Sequence, residues 1–181
     1  MRRKEDVPMY FILAQLVGFV GLAVTLLSYQ CKNNRWLIFM QLCGNASYAL
    51  QYYMLGGLAG CATLFIALFS CLVQSFYGRD WAEWIGWKWI FCGLYVAATV
   101  ITWQNLFSLI PCAAAIVATL ANWSRNGKVI RVSRLIFVAP LWTIYDIYTR
   151  SLSGILCELL GVGSILISIR RYGIKNLDQI S

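Results

Sequence analysis

Apolar residues fall in seven runs along the chain, and charged residues, glycines or turn-forming residues separate them. Crossing the hydrocarbon core of a bilayer takes about 20 predominantly apolar residues in a helix. The pattern therefore predicts an all-α membrane protein with seven transmembrane helices. The predicted spans are Met9–Tyr29, Trp36–Leu55, Leu58–Tyr77, Trp81–Ile101, Leu106–Trp123, Val129–Tyr148 and Leu152–Ile169.

Composition supports a membrane protein, because 60% of the 181 residues are hydrophobic and 12% are charged. A soluble domain of this size could not bury so much apolar surface. The first apolar run is too long for the core of a signal peptide and no small-residue cleavage site follows it, so we expect a retained helix. The links at Gly56-Gly57 and Trp103-Gln104 are very short, which predicts two tight antiparallel hairpins.

The positively charged residues are distributed unequally over the two sides that seven spans define. One side would carry Lys32, Arg35, Arg79, Arg125, Lys128, Arg131, Arg134, Arg170, Arg171 and Lys175. The other would carry Arg2, Arg3, Lys4 and Arg150. Because basic residues concentrate in the cytoplasmic loops of membrane proteins, we expect the C-terminus in the cytoplasm and the N-terminus outside.

The net charge of +8 does not indicate nucleic-acid binding, because the basic residues lie at the ends of apolar runs and suit lipid headgroups. Of the seven cysteines, six lie inside apolar runs, and the chain has no histidine. Cysteine then acts as a small apolar residue. Neither a metal site, a disulfide framework nor a cofactor is indicated, and the expected partners are a small polar solute and the lipid bilayer. Whether the chain forms a homo-oligomer is left open.

An internal repeat appears when the chain is shifted by 94 residues, which places the first three helices on the last three. Tyr48 then falls on Trp142, Tyr52 on Asp146, and Gly60 on Gly154. Small residues follow one helical face in the third helix and again in the seventh. Close packing alone explains such a stripe, and chance similarity of apolar helices is the competing explanation of the repeat.

The repeat predicts two parallel three-helix bundles joined by a linker helix, a 3+1+3 arrangement in which one extra helix keeps both bundles in the same orientation. The predicted division is residues 9–78 for the first bundle and 79–103 for the linker. The second bundle takes residues 104–172, and a cytoplasmic tail takes 173–181. A solute site is expected between the bundles near the middle of the membrane.

Polar and aromatic residues that lipid cannot satisfy indicate where that site lies. The second and sixth helices each place such residues on one face, and the seventh helix contributes an acid. The predicted solute-binding residues are Gln41, Asn45, Tyr48, Gln51, Trp142, Tyr145, Asp146 and Glu158. This lining suits a neutral, polar and ring-shaped solute, although hydrogen bonds between helices without any solute are the alternative.

The two acids are the least expected residues of the set. Asp146 lies four residues before Arg150, so it forms an interfacial salt bridge or selects solutes at the entrance. Glu158 lies within the seventh helix, where an unpaired carboxylate costs several kcal/mol. We expect Glu158 to bind solute or a proton, or else to pair with Arg150 or a basic residue on another helix. Pro111 and Pro140 are candidate hinges, or simply positions of static kinks.

The segments Leu26–Gly56 and Ala139–Gly173 make the chain resemble the YgjV family of bacterial inner-membrane proteins, and the layout is more distantly similar to the PQ-loop, SWEET and Pnu-type transporters. The resemblance to the YgjV family implies a small-molecule protein of the inner (cytoplasmic) membrane, and the more distant similarity implies a 3+1+3 arrangement with an outside N-terminus. Gln30 matches the glutamine of the Pro-Gln signature, with Tyr29 in place of proline. Glu158 occupies the position of a pocket asparagine of the SWEET-type proteins.

The function predicted is therefore transport or facilitated passage of a small polar metabolite, nucleoside- or vitamin-like, by alternating access between the bundles. A membrane scaffold or assembly factor without transport is the alternative. We expect no enzyme: without histidine a serine–histidine dyad is impossible, and no second aspartate lies within a helix to complete an aspartyl-protease pair with Asp146.

Overall fold

The computed structural model describes residues 6–28, 34–76, 78–124 and 126–172, and these contain helices but no strand. The helices are α1 (Asp6–Ser28), α2 (Asn34–Leu55), α3 (Leu58–Ser75), α4 (Asp80–Glu83), α5 (Gly86–Ile101), α6 (Leu109–Trp123), α7 (Gly127–Ser133), α8 (Ala139–Thr149) and α9 (Leu152–Tyr172). A 3-10 turn at Leu106–Ser108 leads into α6, and a π turn at Arg134–Val138 joins α7 to α8. The prediction of an all-α chain is confirmed for these residues.

Among the described residues, three helical segments are long and apolar enough to cross a membrane: Met9–Leu27, Leu58–Ser75 and Leu106–Trp123. The apolar segments Gly86–Ile101 and Leu152–Ile167 are shorter. The second and sixth predicted spans are helical, but the amide, tyrosine and charged side chains within them lower their hydropathy. Those two helices carry most of the predicted site.

Burial is inverted relative to a soluble protein. Large apolar side chains are exposed along the outer faces of the helices, for example Met9, Ile12 and Val100. Polar side chains such as Gln51, Thr63 and Asp146 are among the most buried. Lipid solvates the exposed faces, and protein partners satisfy the polar groups inside, as a membrane protein requires.

Several helix pairs pack against one another. Helix α2 packs against α1 and α3, and α8 packs against α9 and α6. Helix α1 also contacts α9, and α3 contacts α6. Helix α5 lies against α3 and α6, with its own cluster of Phe91, Tyr95, Cys112 and Ala115. The central cluster gathers buried side chains from α1, α2, α6, α8 and the π turn.

Both tight hairpins predicted from short links are confirmed. Gly56 has a φ of 82°, a left-handed conformation that a glycine adopts at little cost, and α3 begins two residues later. At the second hairpin α5 ends at Ile101, and α6 packs back against it. Asn105 caps the intervening 3-10 turn through its side chain, which accepts from the Phe107 N–H.

The prediction of one continuous helix over Trp81–Ile101 is wrong. The chain forms the single turn of α4, breaks at Trp84 and Ile85, and restarts as α5 at Gly86. The Trp87 indole N–H donates to the Trp81 carbonyl at 2.7 Å across the break. The indole of Trp84 covers Gly86, where any larger side chain would overlap it. Aromatic packing therefore stabilises the break.

The two prolines lie in different settings. Pro111 is in the first turn of α6, where its missing N–H leaves no helix hydrogen bond unmade. Pro140 follows the π turn, in which the Ala139 N–H donates to the carbonyl of Arg134, five residues earlier. A proline ring would clash with the carbonyl four residues before it, and the wider turn accommodates it. The hinge role of both prolines stays a prediction.

The small-residue face of the third helix is buried at Gly60, Thr63 and Ser70 and half-buried at Ala67. The corresponding face of α9 is buried at Gly154 but exposed at Ser164. The two predicted stripes are therefore alike near the beginnings of α3 and α9 and differ further along. The side chain of Ser168, the last predicted member, lies outside the described residues, as do Tyr29 and Gln30.

Candidate functional site

A fully buried polar contact joins α2 to α8. The Tyr52 hydroxyl donates to Asp146 Oδ1 at 2.6 Å, and the two side chains are 3% and 1% exposed. Both residues lie in the last turns of their helices, so α2 and α8 end on the same side of the molecule. A hydrogen bond of this length between a hydroxyl and a carboxyl group is among the stronger polar contacts in proteins.

Asp146 also rests on the beginning of α9. Its carboxyl group fills the space over Gly154, where an added Cβ would overlap Oδ1. The Ser151 N–H donates to the Asp146 carbonyl at 2.8 Å, which fixes the tight link between the two helices. Because a helix N-terminus presents unpaired N–H groups and a partial positive charge, it favours a carboxyl group there.

The interpretation of Asp146 as an interfacial salt bridge with Arg150 is wrong. Asp146 is buried with Tyr52 as its partner, whereas Arg150 is exposed. Arg150 takes a left-handed conformation, with a φ of 59°, at the end of α8. This conformation allows the chain to reverse direction within two residues, and Asp146 is consequently buried against α9.

Aromatic rings surround the Tyr52–Asp146 pair. The rings of Tyr52 and Trp142 stack with centroids 5.8 Å apart, and Tyr145 meets Tyr52 edge-on at 5.4 Å. The Tyr145 hydroxyl accepts from the Gly60 N–H at 3.0 Å. The gap that the sequence predicted between the second and sixth helices is therefore closed at this level.

A second hydrogen-bond network lies beside the pair and includes Gln15, which was not among the predicted site residues. Gln15 Nε2 donates to the Arg150 carbonyl at 2.7 Å, and Gln15 Oε1 accepts from the Leu152 N–H at 3.1 Å. Gln51 Oε1 accepts from the Ser153 hydroxyl at 3.0 Å. A glutamine within an otherwise apolar first helix was the signal that could have identified this contact.

We call the region formed by Gln15, Gln51, Tyr52, Tyr145, Asp146 and Ser153 the closed end. Its members come from α1, α2, α8 and α9, and Tyr145 reaches α3 through Gly60. The ends of α2 and α8 and the beginnings of α3 and α9 are thereby held together. Three of the predicted residues, Gln51, Tyr145 and Asp146, belong to this region.

One helical turn away from the closed end, toward the beginning of α2 and further along α9, several buried polar side chains lack such partners in the described residues. Three buried oxygen atoms make no hydrogen bond to the described part of the chain: Tyr48 Oη, Thr63 Oγ1 and Glu158 Oε2. The Tyr48 hydroxyl lies beside the thiol of Cys157. We call Tyr48, Thr63, Arg134, Cys157 and Glu158 the inner polar layer.

Glu158 forms an ion pair within this layer. Its Oε1 lies 3.7 Å from Nη2 of Arg134, at the beginning of the π turn, and the two side chains are 13% and 41% exposed. Pairing with a basic residue on another helix was one of the two expectations for Glu158, and it is confirmed. The pair satisfies one carboxyl oxygen and leaves the other without a partner.

Gln41 and Asn45 lie further along α2, away from the closed end. Both are half-buried, and neither makes a hydrogen bond to the described residues. The structure thus brings Tyr48, Gln51, Trp142, Tyr145, Asp146 and Glu158 into two adjacent levels. Gln41 and Asn45 continue the same face of α2, where their binding role stays a prediction.

A shallow groove of about 310 Å³ lies on the outer face of α2 and α3. Its walls are apolar and include Leu42, Phe65 and Phe69. The groove suits an acyl chain rather than a polar solute. Among the described residues, no group of three acidic or cysteine side chains is placed to hold a metal ion.

A family model described as "Imp-YgjV: Bacterial inner membrane protein" matches residues 12–176. The chain belongs to the Imp-YgjV family. The match covers the closed end, the inner polar layer and all helices from α1 to α9, so the chain is a bacterial inner membrane protein with several apolar helices. No curated protein and no solved structure matches it.

Proposed function

We propose that this Imp-YgjV chain transports a small polar metabolite across the inner membrane by alternating access between two three-helix bundles. The observation that carries the proposal is the inner polar layer. An unpartnered polar group buried in an apolar environment costs about 1–3 kcal/mol. A chain that retains Tyr48 Oη, Thr63 Oγ1 and Glu158 Oε2 in this state has a use for them, and binding a polar solute is such a use.

The closed end supports alternating access because it blocks the path of a solute on one side. Tyr52, Trp142 and Tyr145 fill the centre, and hydrogen bonds hold the four helix termini around them. For a solute to pass, these contacts must separate while the opposite side closes. The π turn at Arg134–Val138 and Pro140 form the irregular part of the sixth span, where such a movement is least costly.

A 3+1+3 arrangement of seven spans is supported by the contacts between the halves. Tyr52 and Asp146 are 94 residues apart, which equals the offset of the repeat, and they contact each other. Two equivalent residues meet only near the axis that relates them. The repeat also makes α1 equivalent to α6 and α3 equivalent to α9. The contact of α1 with α9 therefore corresponds to that of α6 with α3, and both are present. Helix α5, the linker, lies outside this pattern.

The orientation is part of the proposal: the closed end and the N-terminus face outside, and the C-terminus faces the cytoplasm. Reporter fusions test it. A fluorescent protein that matures only in the cytoplasm should be bright at the C-terminus, and a phosphatase active only outside should be active at the N-terminus. The reverse pattern would contradict the orientation and leave the transport proposal standing.

Transport is tested with the purified chain in proteoliposomes, by measuring uptake of a panel of labelled nucleosides, vitamins, amines and sugars. At least one solute should accumulate to equilibrium faster than in empty liposomes, and Tyr48→Phe should slow it. An unchanged rate with every solute, together with copurification of a partner in fixed stoichiometry, would favour a scaffold instead. A scaffold has no need of unpartnered buried oxygens, which is why we place it second.

A further inference from the structure

Carboxyl groups outnumber basic groups around the inner polar layer. The charged groups that interact with the Tyr48 hydroxyl and the Cys157 thiol are Asp146, Glu158 and Arg134. Two of these carry a carboxyl group and one carries a guanidinium group. The neighbouring described residues Thr63 on α3 and Gln15 on α1 bring only neutral side chains. When both carboxyl groups are ionised, the region favours a positive charge.

The two carboxyl groups are not equally available. Asp146 already accepts from Tyr52 and rests on the beginning of α9. Glu158 gives one oxygen to Arg134 at 3.7 Å, which is long for a direct contact between ions, and its Oε2 has no partner in the described residues. Glu158 Oε2 is thus the acceptor that remains for a ligand.

The Tyr48 hydroxyl has no hydrogen-bond partner among the described residues, its residue is 8% exposed, and it interacts electrostatically with Asp146 and Glu158. A hydroxyl can accept one hydrogen bond from an ammonium group while the carboxylate accepts another. Trp142 packs in the same cluster as Tyr48, and aromatic faces attract cations. An acid, a hydroxyl and an aromatic ring on neighbouring helices are the groups that recognise a charged nitrogen.

We propose that the inner polar layer binds its solute through a positively charged nitrogen, held by Glu158 Oε2 with the Tyr48 hydroxyl beside it. This inference rests on the proposed function and narrows it. It departs from the neutral solute that the amide-rich sequence suggested. The amide of Gln51 is engaged in the closed end, whereas Glu158 Oε2 has no partner among the described residues. Amines and protonated ring nitrogens are the solute class expected.

Cys157 provides a probe within the layer. Methanethiosulfonate reagents transfer their thioalkyl group to a cysteine thiolate and release methanesulfinate. The 2-aminoethyl reagent carries a positive charge, the 2-hydroxyethyl reagent is neutral and the 2-sulfonatoethyl reagent is negative. Peptide mass spectrometry of the full wild-type chain in proteoliposomes gives the rate of modification at Cys157, so the other cysteines can stay.

Each rate is divided by the rate of the same reagent with a free thiol in solution. The 2-aminoethyl reagent should then modify Cys157 at least about 10-fold faster than the 2-hydroxyethyl reagent, since hydrogen bonds to charged groups are worth about that factor or more. In Glu158→Gln the ratio should fall to near one. A changed reactivity of the thiol itself affects all three reagents alike and cancels in the ratio.

Glu83→Gln is the matched control, because Glu83 is exposed on α4. It should leave the ratio unchanged. A ratio that stays high in Glu158→Gln, a faster reaction with the neutral or negative reagent, or no modification of Cys157 by any reagent would each overturn the inference. In a second arm, 2-phenylethylamine should protect Cys157 while the isosteric 2-phenylethanol should not, and equal protection would count against the charged nitrogen.

This experiment separates the inference from the proposed function. A high ratio that depends on Glu158, with no uptake of any amine, would support a cation-binding layer and refute transport. Uptake of a neutral solute with a ratio near one would support transport and refute the charged nitrogen.

Discussion

The closed end and the inner polar layer lie one helical turn apart on the same helices, yet they treat polar groups in opposite ways. Tyr52 donates to Asp146 at 2.6 Å, whereas Tyr48, four residues earlier on α2, has a buried hydroxyl with no partner in the described residues. One tyrosine thus holds two helices together, whereas the other has no partner among the described residues. Under the proposed function, the difference distinguishes contacts that fix the fold from groups that are kept for a ligand.

Neighbouring glycines contribute to this contrast. Gly154 and Gly60 leave the space that Asp146 and Tyr145 occupy. Gly163, further along α9, has open space where a Cβ would be. The close approach of Asp146 to α9 and of Tyr145 to α3 therefore requires glycine at these two positions. At Gly163, by contrast, an added Cβ would contact nothing within 4 Å.

The largest effect is expected for Gly154→Ala, because the new Cβ would overlap the buried Asp146 carboxyl. Overpacking and a displaced hydrogen bond should lower the free energy of unfolding by about 2–4 kcal/mol. The melting temperature in detergent should then fall by at least about 4 °C. Gly163→Ala is the control and should raise stability slightly, since alanine favours a helix. If both variants melt at the same temperature, the close approach at Gly154 is refuted.

A smaller effect is expected for Tyr52→Phe, which removes the donor to Asp146 and leaves a buried carboxyl oxygen unpaired. The loss should be about 1.5–3 kcal/mol, measured as a lower melting temperature. Tyr48→Phe is the same change one turn away, and it should leave stability unchanged or raise it, because it removes an unpartnered hydroxyl. Equal destabilisation by the two variants would erase the distinction between the two regions.

Next is Gln15→Leu, which should cost about 1–2 kcal/mol because the Arg150 carbonyl and the Leu152 N–H each lose a partner. Thermal unfolding in detergent measures it, with Gln104→Leu in the exposed α5–α6 link as the control. A melting temperature that is the same for Gln15→Leu as for wild type would remove Gln15 from the closed end.

The smallest effect on stability is expected for Thr63→Val, which replaces an unpartnered buried hydroxyl by a methyl group of similar size. The free energy of unfolding should change by less than about 0.5 kcal/mol, while uptake of a transported solute should slow if Thr63 contacts it. A loss of stability as large as that of Tyr52→Phe would mean that Thr63 holds the fold, and the inner polar layer would then have to be redrawn without it.

Part of the site could be predicted because lipid makes polar residues conspicuous. Tyr52 and Asp146 were placed at equivalent positions by the repeat, and the structure brings them into contact. The pairing of Glu158 with a base on another helix was one of two expectations, and Arg134 proved to be that base. Such predictions succeed because a buried polar group in a membrane must face protein.

Other parts required the fold. Asp146 seemed close to the surface because Arg150 follows it, but the left-handed residue at Arg150 turns the chain so sharply that the acid is buried. The break at Trp84 and Ile85 depends on indole packing across a turn. Gln15 acts through backbone groups more than 130 residues away, and no local pattern reveals such a partner.

The sequence alone was enough to predict a helical inner-membrane protein and to show that α2 and the sixth predicted span carry the unusual polar residues. Where the fourth and sixth spans are interrupted, and which polar residues have partners, depends on the packing of the helices. Helix formation and membrane insertion depend on runs of neighbouring residues, so they can be predicted from the sequence. Tyr52 has a hydrogen-bond partner 94 residues away along the chain, whereas the Tyr48 hydroxyl has none among the described residues. Only the packing of the helices determines this difference.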